Sequence, residues 1–280
     1  MLERFLNTLQ ALRIGVAGDS LALVQASRGF QPRRSLLAEA RLDPADGAAA
    51  LGNGLRRLLA GMPAAGRPVA VVLADELART WQVTPPQGAG RMADLEAAAA
   101  LRFQALFGAP ATGWQISADW DADRPFLAAA LPAPLLATLR QSAAEHRFHL
   151  VEVVPQFVAS LNGWRKLRRP NAWFAQVEGA VLTLAVFERG ALAAVRTAVI
   201  PPAAGRAWLD AHIAREALLT GAAAPSLVQV CGAGGHGLAR AWVGAPGAGF
   251  DCMLLDGEAD AAASPAWPGA ARLAATGRGA

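Results

Sequence analysis

The chain has 280 residues, of which 54% are apolar and 17% charged, and its formal net charge is +4. This supplies ample core material for one large domain or two of roughly 100–150 residues each. No charge-free apolar run reaches roughly 18 residues, so no transmembrane helix is expected. The start, MLERFLNTLQALR, lacks an extended apolar region and a small-residue cleavage site, so it does not read as a secretory signal. The cysteines Cys231 and Cys252 could pair by count alone, but the chain does not look like a disulfide-stapled secreted fold. A cytoplasmic location follows as the expectation.

In chain order, Leu2, Phe5, Leu6, Leu9 and Leu12 recur at helical spacing and predict an amphipathic helix over residues 1–12. Its apolar face would dock either on its own domain or on a partner or membrane surface. Residues 13–28 predict a hairpin turning at Gly18-Asp19-Ser20, followed by a strand at 35–42 and a helix within 44–60. Arg67–Ala74 is a continuous apolar run, as expected for a strand buried on both faces. Residues 79–90, with Pro85-Pro86, read as irregular, and 91–107 as a helix stopped by Gly108 and Pro110. Strands at 113–119 and 125–131, a helix at 133–146, a strand at 148–154 and a helix at 156–167 complete the first half.

The second half repeats the plan. Strands at 172–178, 181–188 and 191–199 form a meander, with turns at Glu178-Gly179 and Arg189-Gly190. A helix at 204–220, a strand at 226–231, a glycine turn (Gly232, Gly234, Gly235), a short helix at 237–243 and a strand at 250–255 follow. Beyond Gly257 the chain is rich in Ala, Gly and Pro and reads as a loosely ordered tail, 258–280. Three strands, a helix, a strand, a helix and a strand is the order of the ribonuclease H-like unit. The first half fits it with an insertion at about 79–150. The expected division is therefore a first lobe at 13–169 and a second at 170–257, with Pro170-Asn171 between them.

The stretches RIGVAGDSLALVQASRG, VAVVLADELARTWQVTPP, ALRFQALFG with GWQIS, and FHLVEVVPQFVASLNGW before AWFAQVEGAVLTLAVFERGALAAVRT resemble, in order and texture, the actin-like ATPase superfamily. Within it the chain is similar to the type IV pilus assembly protein PilM and the cytoplasmic domain of the type II secretion protein GspL. The resemblance covers roughly residues 11–257. It implies an α/β, two-lobed fold of ribonuclease H-like units with mixed sheets flanked by helices. It also implies a nucleotide cleft formed by Gly18, Asp19, Ser20, Glu178, Gly179, Gly232, Gly234 and Gly235.

The departures from that pattern decide the functional expectation. Actin-like ATPases carry an aspartate at the end of the first strand, in a D-x-G turn that holds Mg²⁺ and phosphate. Ala17 stands there, and Asp19 lies after the glycine, where it would repel phosphate. In the second turn Gln176, Glu178 and Gly179 replace the other D-x-G. The expectation is a degenerate cleft with no cofactor, no catalysis and a scaffolding role on a pilus or secretion assembly platform. The partner would be the cytoplasmic tail of an inner-membrane protein, with the assembly ATPase as a further partner, at the inner-membrane surface. The alternative is an ATP/Mg-dependent switch using Glu178 as a replacement carboxylate. A sugar or acyl kinase of the same fold needs an aspartate base in the second turn, and none is seen.

Other chemistry is weaker. His146 and His149 straddle a helix end and a strand start, with no cysteine or carboxylate cluster to complete a metal site. Cys231 and His236 flank the glycine turn, yet a buried strand-end thiol is the plainer reading. Asp119, Asp121 and Asp123 lack the glycine and closing glutamate of a calcium loop and read as a solvated turn. Arg165-Lys166-Leu167-Arg168-Arg169 reads as a solvated helix end stopped by Pro170, with lipid headgroups or nucleic acid as the functional option. No stacking platform accompanies it, so nucleic acid is not expected. Trp81, Trp114, Trp120 and Trp164 suit a core or an interface.

Overall fold

In a computed structural model of the chain, the structure describes residues 10–27, 34–232, 236–247, 249–255, 267 and 269–276. The first sheet opens with β1 (Gln10–Val16), β2 (Ser20–Ser27) and β3 (Arg34–Arg41), a meander in which Ile14 pairs with Leu23 and Leu23 with Ala38. Helix α1 (Ala50–Leu59) leads to β4 (Pro68–Leu73), which lies parallel to β1 with Ile14 opposite Val71. A 3-10 turn at Asp75–Leu77 precedes β5 (Arg79–Val83), α2 (Met92–Phe107), β6 (Trp114–Ala118) and β7 (Phe126–Pro132). Next come α3 (Ala133–His146), β8 (His149–Pro155) and α4 (Gln156–Gly163).

A second meander follows, β9 (Trp173–Glu178), β10 (Val181–Glu188) and β11 (Ala191–Val199). Helix α5 (Arg206–Thr220), β12 (Leu227–Cys231), α6 (His236–Gly244) and β13 (Asp251–Leu254) continue that unit, and α7 (Gly269–Ala275) returns to the first.

Among the described residues the strands form two five-stranded sheets and one of three. The five-stranded sheets run β3-β2-β1-β4-β8 and β11-β10-β9-β12-β13, so each follows the order 3-2-1-4-5 in its own strands. This is the repeated ribonuclease H-like unit that the element order predicts. The chain divides into two compact units. One is Met1–Arg79, Leu131–Gly163 and Ala262–Ala280, and the other is Thr80–Ala130 and Trp164–Ala261.

The period-2 pattern of the strands explains the first unit's layers. Leu12, Ile14 and Val16 of β1, Leu21 and Leu23 of β2, and Val69, Val71 and Leu73 of β4 share one face. They pack with Leu55, Leu58 and Leu59 of α1 and Leu136 and Leu139 of α3. The opposite face is built from small residues and takes α7. There Ala22 and Val24 meet Ala270, Ala271 and Ala274, and Val72 meets Leu273. Thus β4 is buried on both faces, as its unbroken apolar run requires.

Gly15 makes the helix contact possible, because a Cβ there would overlap the Ala270 carbonyl oxygen and stand 2.8 Å from the Ala274 nitrogen. Arg13 reaches the same helix and donates to the Thr276 carbonyl at 2.6 Å. The expected loose tail is therefore corrected over Gly269–Ala275, which is a buried helix. Sequence texture hid it because alanine packs by close approach rather than by bulk. The predicted N-terminal helix falls mostly on residues 1–9, outside the described residues, while Gln10–Leu12 belong to β1.

In the second unit, Trp173, Ala175 and Val177 of β9, Leu182, Leu184 and Val186 of β10, and Val228 and Val230 of β12 pack with Leu209, Ile213 and Trp242. Buried Arg206 ties α5 to the chain after α6. It pairs with Asp210 at 2.8 Å, donates to the carbonyls of Trp242, Ala245 and Phe250, and lies over the Phe250 ring. The three-stranded sheet, β5-β7-β6, is covered by α2 through an aromatic cluster. Phe103 stands 5.3 Å from Trp81, 5.0 Å from Phe107 and 5.4 Å from Trp114, ring centre to ring centre.

Trp81, buried to 2%, belongs to this core, Trp114 and Trp120 pack against it partly buried, and Trp164 is buried outside it. The strand at Arg79–Val83 corrects the irregular reading of that stretch, where Pro85-Pro86 masked five residues of strand. Gln82 there donates to the Leu192 carbonyl of β11 at 2.6 Å, a long-range tie no local pattern encodes.

Candidate functional site

The first candidate turn joins β1 to β2. The Ala17 N–H donates to the Ser20 carbonyl at 2.9 Å and closes the turn. The Asp19 carbonyl accepts from the Leu42 N–H at 2.8 Å, which fixes the turn against the end of β3. The Ser20 hydroxyl donates to the Asp19 carboxylate at 2.7 Å. The Gly18 N–H, the group a phosphate oxygen would use in such a turn, donates instead to the Glu76 carboxylate at 3.0 Å. A Cβ at Gly18 would stand 2.6 Å from that same oxygen, the mobile end of the Glu76 side chain, so a larger residue there would displace Glu76 rather than the backbone.

Glu76 is delivered by the 3-10 turn after β4. Its neighbour Asp75 accepts from the Phe157 N–H at 2.9 Å and so supports the start of α4. The two adjacent acids tie the turn to the sheet's C-terminal edge from both sides. Asp19 follows Gly18 directly and accepts from Ser20, so the turn carries a second carboxylate besides Glu76.

The second and third turns lie together in the other unit. Glu178 ends β9 and pairs with Val181 across a two-residue hairpin whose first residue, Gly179, has φ +54°. Glycine is favoured there by the backbone alone. Gly232 follows β12 at φ +145°, and a Cβ would overlap the Val177 carbonyl oxygen and stand 2.9 Å from the Val177 nitrogen. It therefore lies against the β9 backbone one residue from Glu178, and that close strand approach explains the glycine. Gly234 and Gly235 lie outside the described residues. Gln176, on the face of β9 opposite the large core, is buried to 1% and pairs with Cys231 of β12.

The other candidates do not assemble. Among the described residues no group of three or more His, Cys, Asp or Glu could hold a metal ion. His149 is exposed on β8 while His146 ends α3. Cys231 is a buried strand-end thiol, and Cys252 stands opposite Val228, so both are free cysteines. Burial pushes the Cys252 thiol up to about 11, which keeps it protonated and a poor nucleophile. Asp121 accepts from the N–H groups of Asp123 and Arg124 and pairs with the Arg124 guanidinium, a self-contained turn.

His212 is buried against the second core. It stacks on Trp208 at 5.1 Å, and Trp208 stacks on Trp242. Burial, more than nearby Arg215, holds the imidazole below its usual range, against the pull of Glu216. Glu216 is itself buried and pairs with Arg196 at 2.9 Å.

No protein-family model and no curated protein matches the sequence. Solved structures do. A Bacteroides thetaiotaomicron protein described as having an actin-like ATPase fold and unknown function matches with a TM-score of 0.56 and 11% identity, over 91% of this chain and 94% of the other. The fold is actin-like. A PilM-PilN type IV pilus biogenesis complex matches with a TM-score of 0.57 and 16% identity, over 96% and 94% of the two chains. The cytoplasmic domain of EpsL, an inner-membrane component of the Vibrio cholerae type II secretion system, matches with a TM-score of 0.51 and 14% identity, over 80% and 83%. No described helix is long and apolar enough to cross a membrane.

Glu76, which occupies the Gly18 N–H, was not among the residues the sequence pointed to. Its only signal is an acid pair directly after the apolar β4 run, at the edge where an open α/β sheet offers its ligand site.

Proposed function

We propose that this chain is a non-catalytic actin-like scaffold of a type IV pilus or type II secretion assembly platform. It binds the cytoplasmic tail of an inner-membrane partner and works at the cytoplasmic face of that membrane. The observation that carries the reading is the Glu76 carboxylate on the Gly18 N–H, in a fold shared with PilM-PilN and EpsL. An anionic side chain at the phosphate turn, with Ala17 in place of a metal-holding aspartate, removes both the charge and the donor that nucleotide binding needs. Gly179 and Gly232 have backbone reasons to persist without a ligand.

The test is retention of the purified chain on immobilised cytoplasmic tails of inner-membrane proteins encoded beside it. Saturable retention by one tail supports the reading, and binding to none overturns it. Titration with Mg-ATP separates the scaffold from a nucleotide switch. Micromolar binding that is lost in Glu178→Ala would favour the switch.

A further inference from the structure

The segment after α4 is a cationic turn whose backbone is held from beneath while Arg165, Lys166 and Arg169 stay exposed. Residues Arg165–Leu167 form a 3-10 turn, and the N–H groups of Leu167 and Arg168 both donate to the carbonyl of buried Trp164. Beneath it, the side chain of Gln229 on β12 is buried to 1% and clamps the backbone at two points. It accepts from the Arg169 N–H at 2.8 Å and donates to the Leu167 carbonyl at 2.9 Å. The Arg168 guanidinium lies 4.6 Å from the centre of the Phe187 ring. That contact ties the turn to the end of β10, two residues from exposed Arg189 at the tip of the β10–β11 hairpin.

Segments 164–170 and 187–190 carry Arg165, Lys166, Arg168, Arg169 and Arg189 against one acid, Glu188, a local balance as large as the formal net charge of +4 for the whole chain. Among the described residues none of the five cations forms a salt bridge.

We propose that this turn is a docking surface for the anionic face of a lipid bilayer. Charge complementarity selects an anionic partner, and the side chains select among them. Trp164 is buried, so the segment offers no exposed aromatic ring on which a base could stack. It does expose Leu167, an apolar side chain set among cations, which suits insertion at the headgroup boundary. The buried Gln229 clamp fixes the turn in advance, so little ordering cost remains on contact. The surface stands apart from tail binding, and a chain that binds no tail would still adsorb.

The test is co-sedimentation of the full chain with vesicles of phosphatidylcholine alone and of phosphatidylcholine mixed with phosphatidylglycerol, at low and high salt. Binding is expected only to the anionic vesicles and to weaken as salt is raised. A triple variant, Arg165→Gln, Lys166→Gln and Arg169→Gln, alters exposed side chains and should keep the natural melting temperature. Its affinity for anionic vesicles should fall roughly a hundred-fold, from about fivefold per cation. The proposal is overturned by no binding to anionic vesicles, by equal binding to neutral ones, or by a folded triple variant that binds like the natural chain. Retention of oligonucleotide or acidic peptide without vesicle binding overturns it as well.

Discussion

Replacing Gly15 with valine tests the packing that brings the C-terminal helix onto the first sheet. The new Cβ would overlap the Ala270 carbonyl oxygen and crowd the Ala274 nitrogen, both backbone atoms that no rotamer change can move. The α7 helix must then shift or leave. If it shifts, overpacking costs about 1–3 kcal/mol. If it leaves, the burial of three alanine methyls and the Leu273 side chain is lost. At about 0.8 kcal/mol per methyl and about 2 kcal/mol for the leucine, that is about 4 kcal/mol. Lower entropy of the unfolded valine chain offsets up to about 1 kcal/mol.

Denaturant unfolding should therefore show a net loss of about 1–3 kcal/mol, and the melting temperature should fall about 3 °C per kcal/mol. Amide exchange in Gly269–Ala275 should rise with it, while exchange in β9–β12 stays unchanged. A Gly15→Val protein within about 0.5 kcal/mol of the natural chain, with α7 amides equally protected, would refute the docking.

Three further outcomes follow from the same geometry. Glu76→Ala removes the acceptor from an exposed N–H, so stability should change by less than about 1 kcal/mol, and calorimetry should still detect no Mg-ATP binding. A gain of micromolar affinity would show a competent turn latched by Glu76. Arg206→Met removes a buried donor to Asp210 and three carbonyls and should cost about 3–5 kcal/mol in denaturant unfolding. A loss under 1 kcal/mol would count against its bridging role.

His212 supplies a pH signature. Its folded-state pKa lies below the ordinary 6.5 because burial disfavours the imidazolium, so its contribution to stability is present above that value. It is lost as pH falls from 6.5 through the depressed value. The melting temperature of the natural chain should drop more steeply as pH falls below 6.5 than that of His212→Phe. Parallel curves would contradict a neutral buried His212.

The sequence was most legible where periodicity was strong. Both meanders, the double-faced run of β4 and the glycine-stopped α2 are each set by local alternation or by a terminator such as Gly108, which adopts the left-handed cap its position requires. What escaped was encoded by long-range fit. Gly15 and Ala270 are informative only as a pair, and neither has bulk to announce a core. The short β5 strand is held by partners across the sheet and by Gln82 on β11, while its own flanks read as breakers. Glu76 carries no motif, because its role is set by where β4 ends relative to Gly18. At the turns, the glycines answer to the hairpin at Gly179 and, for Gly232, to the β9 backbone at Val177.

The proposed scaffold, holding a membrane protein's tail without nucleotide, is put to the test by tail affinity in the absence and presence of Mg-ATP. Saturable binding to one inner-membrane tail with the same dissociation constant in both conditions is expected. Failure to bind any tail, or an affinity that changes with Mg-ATP, would contradict it.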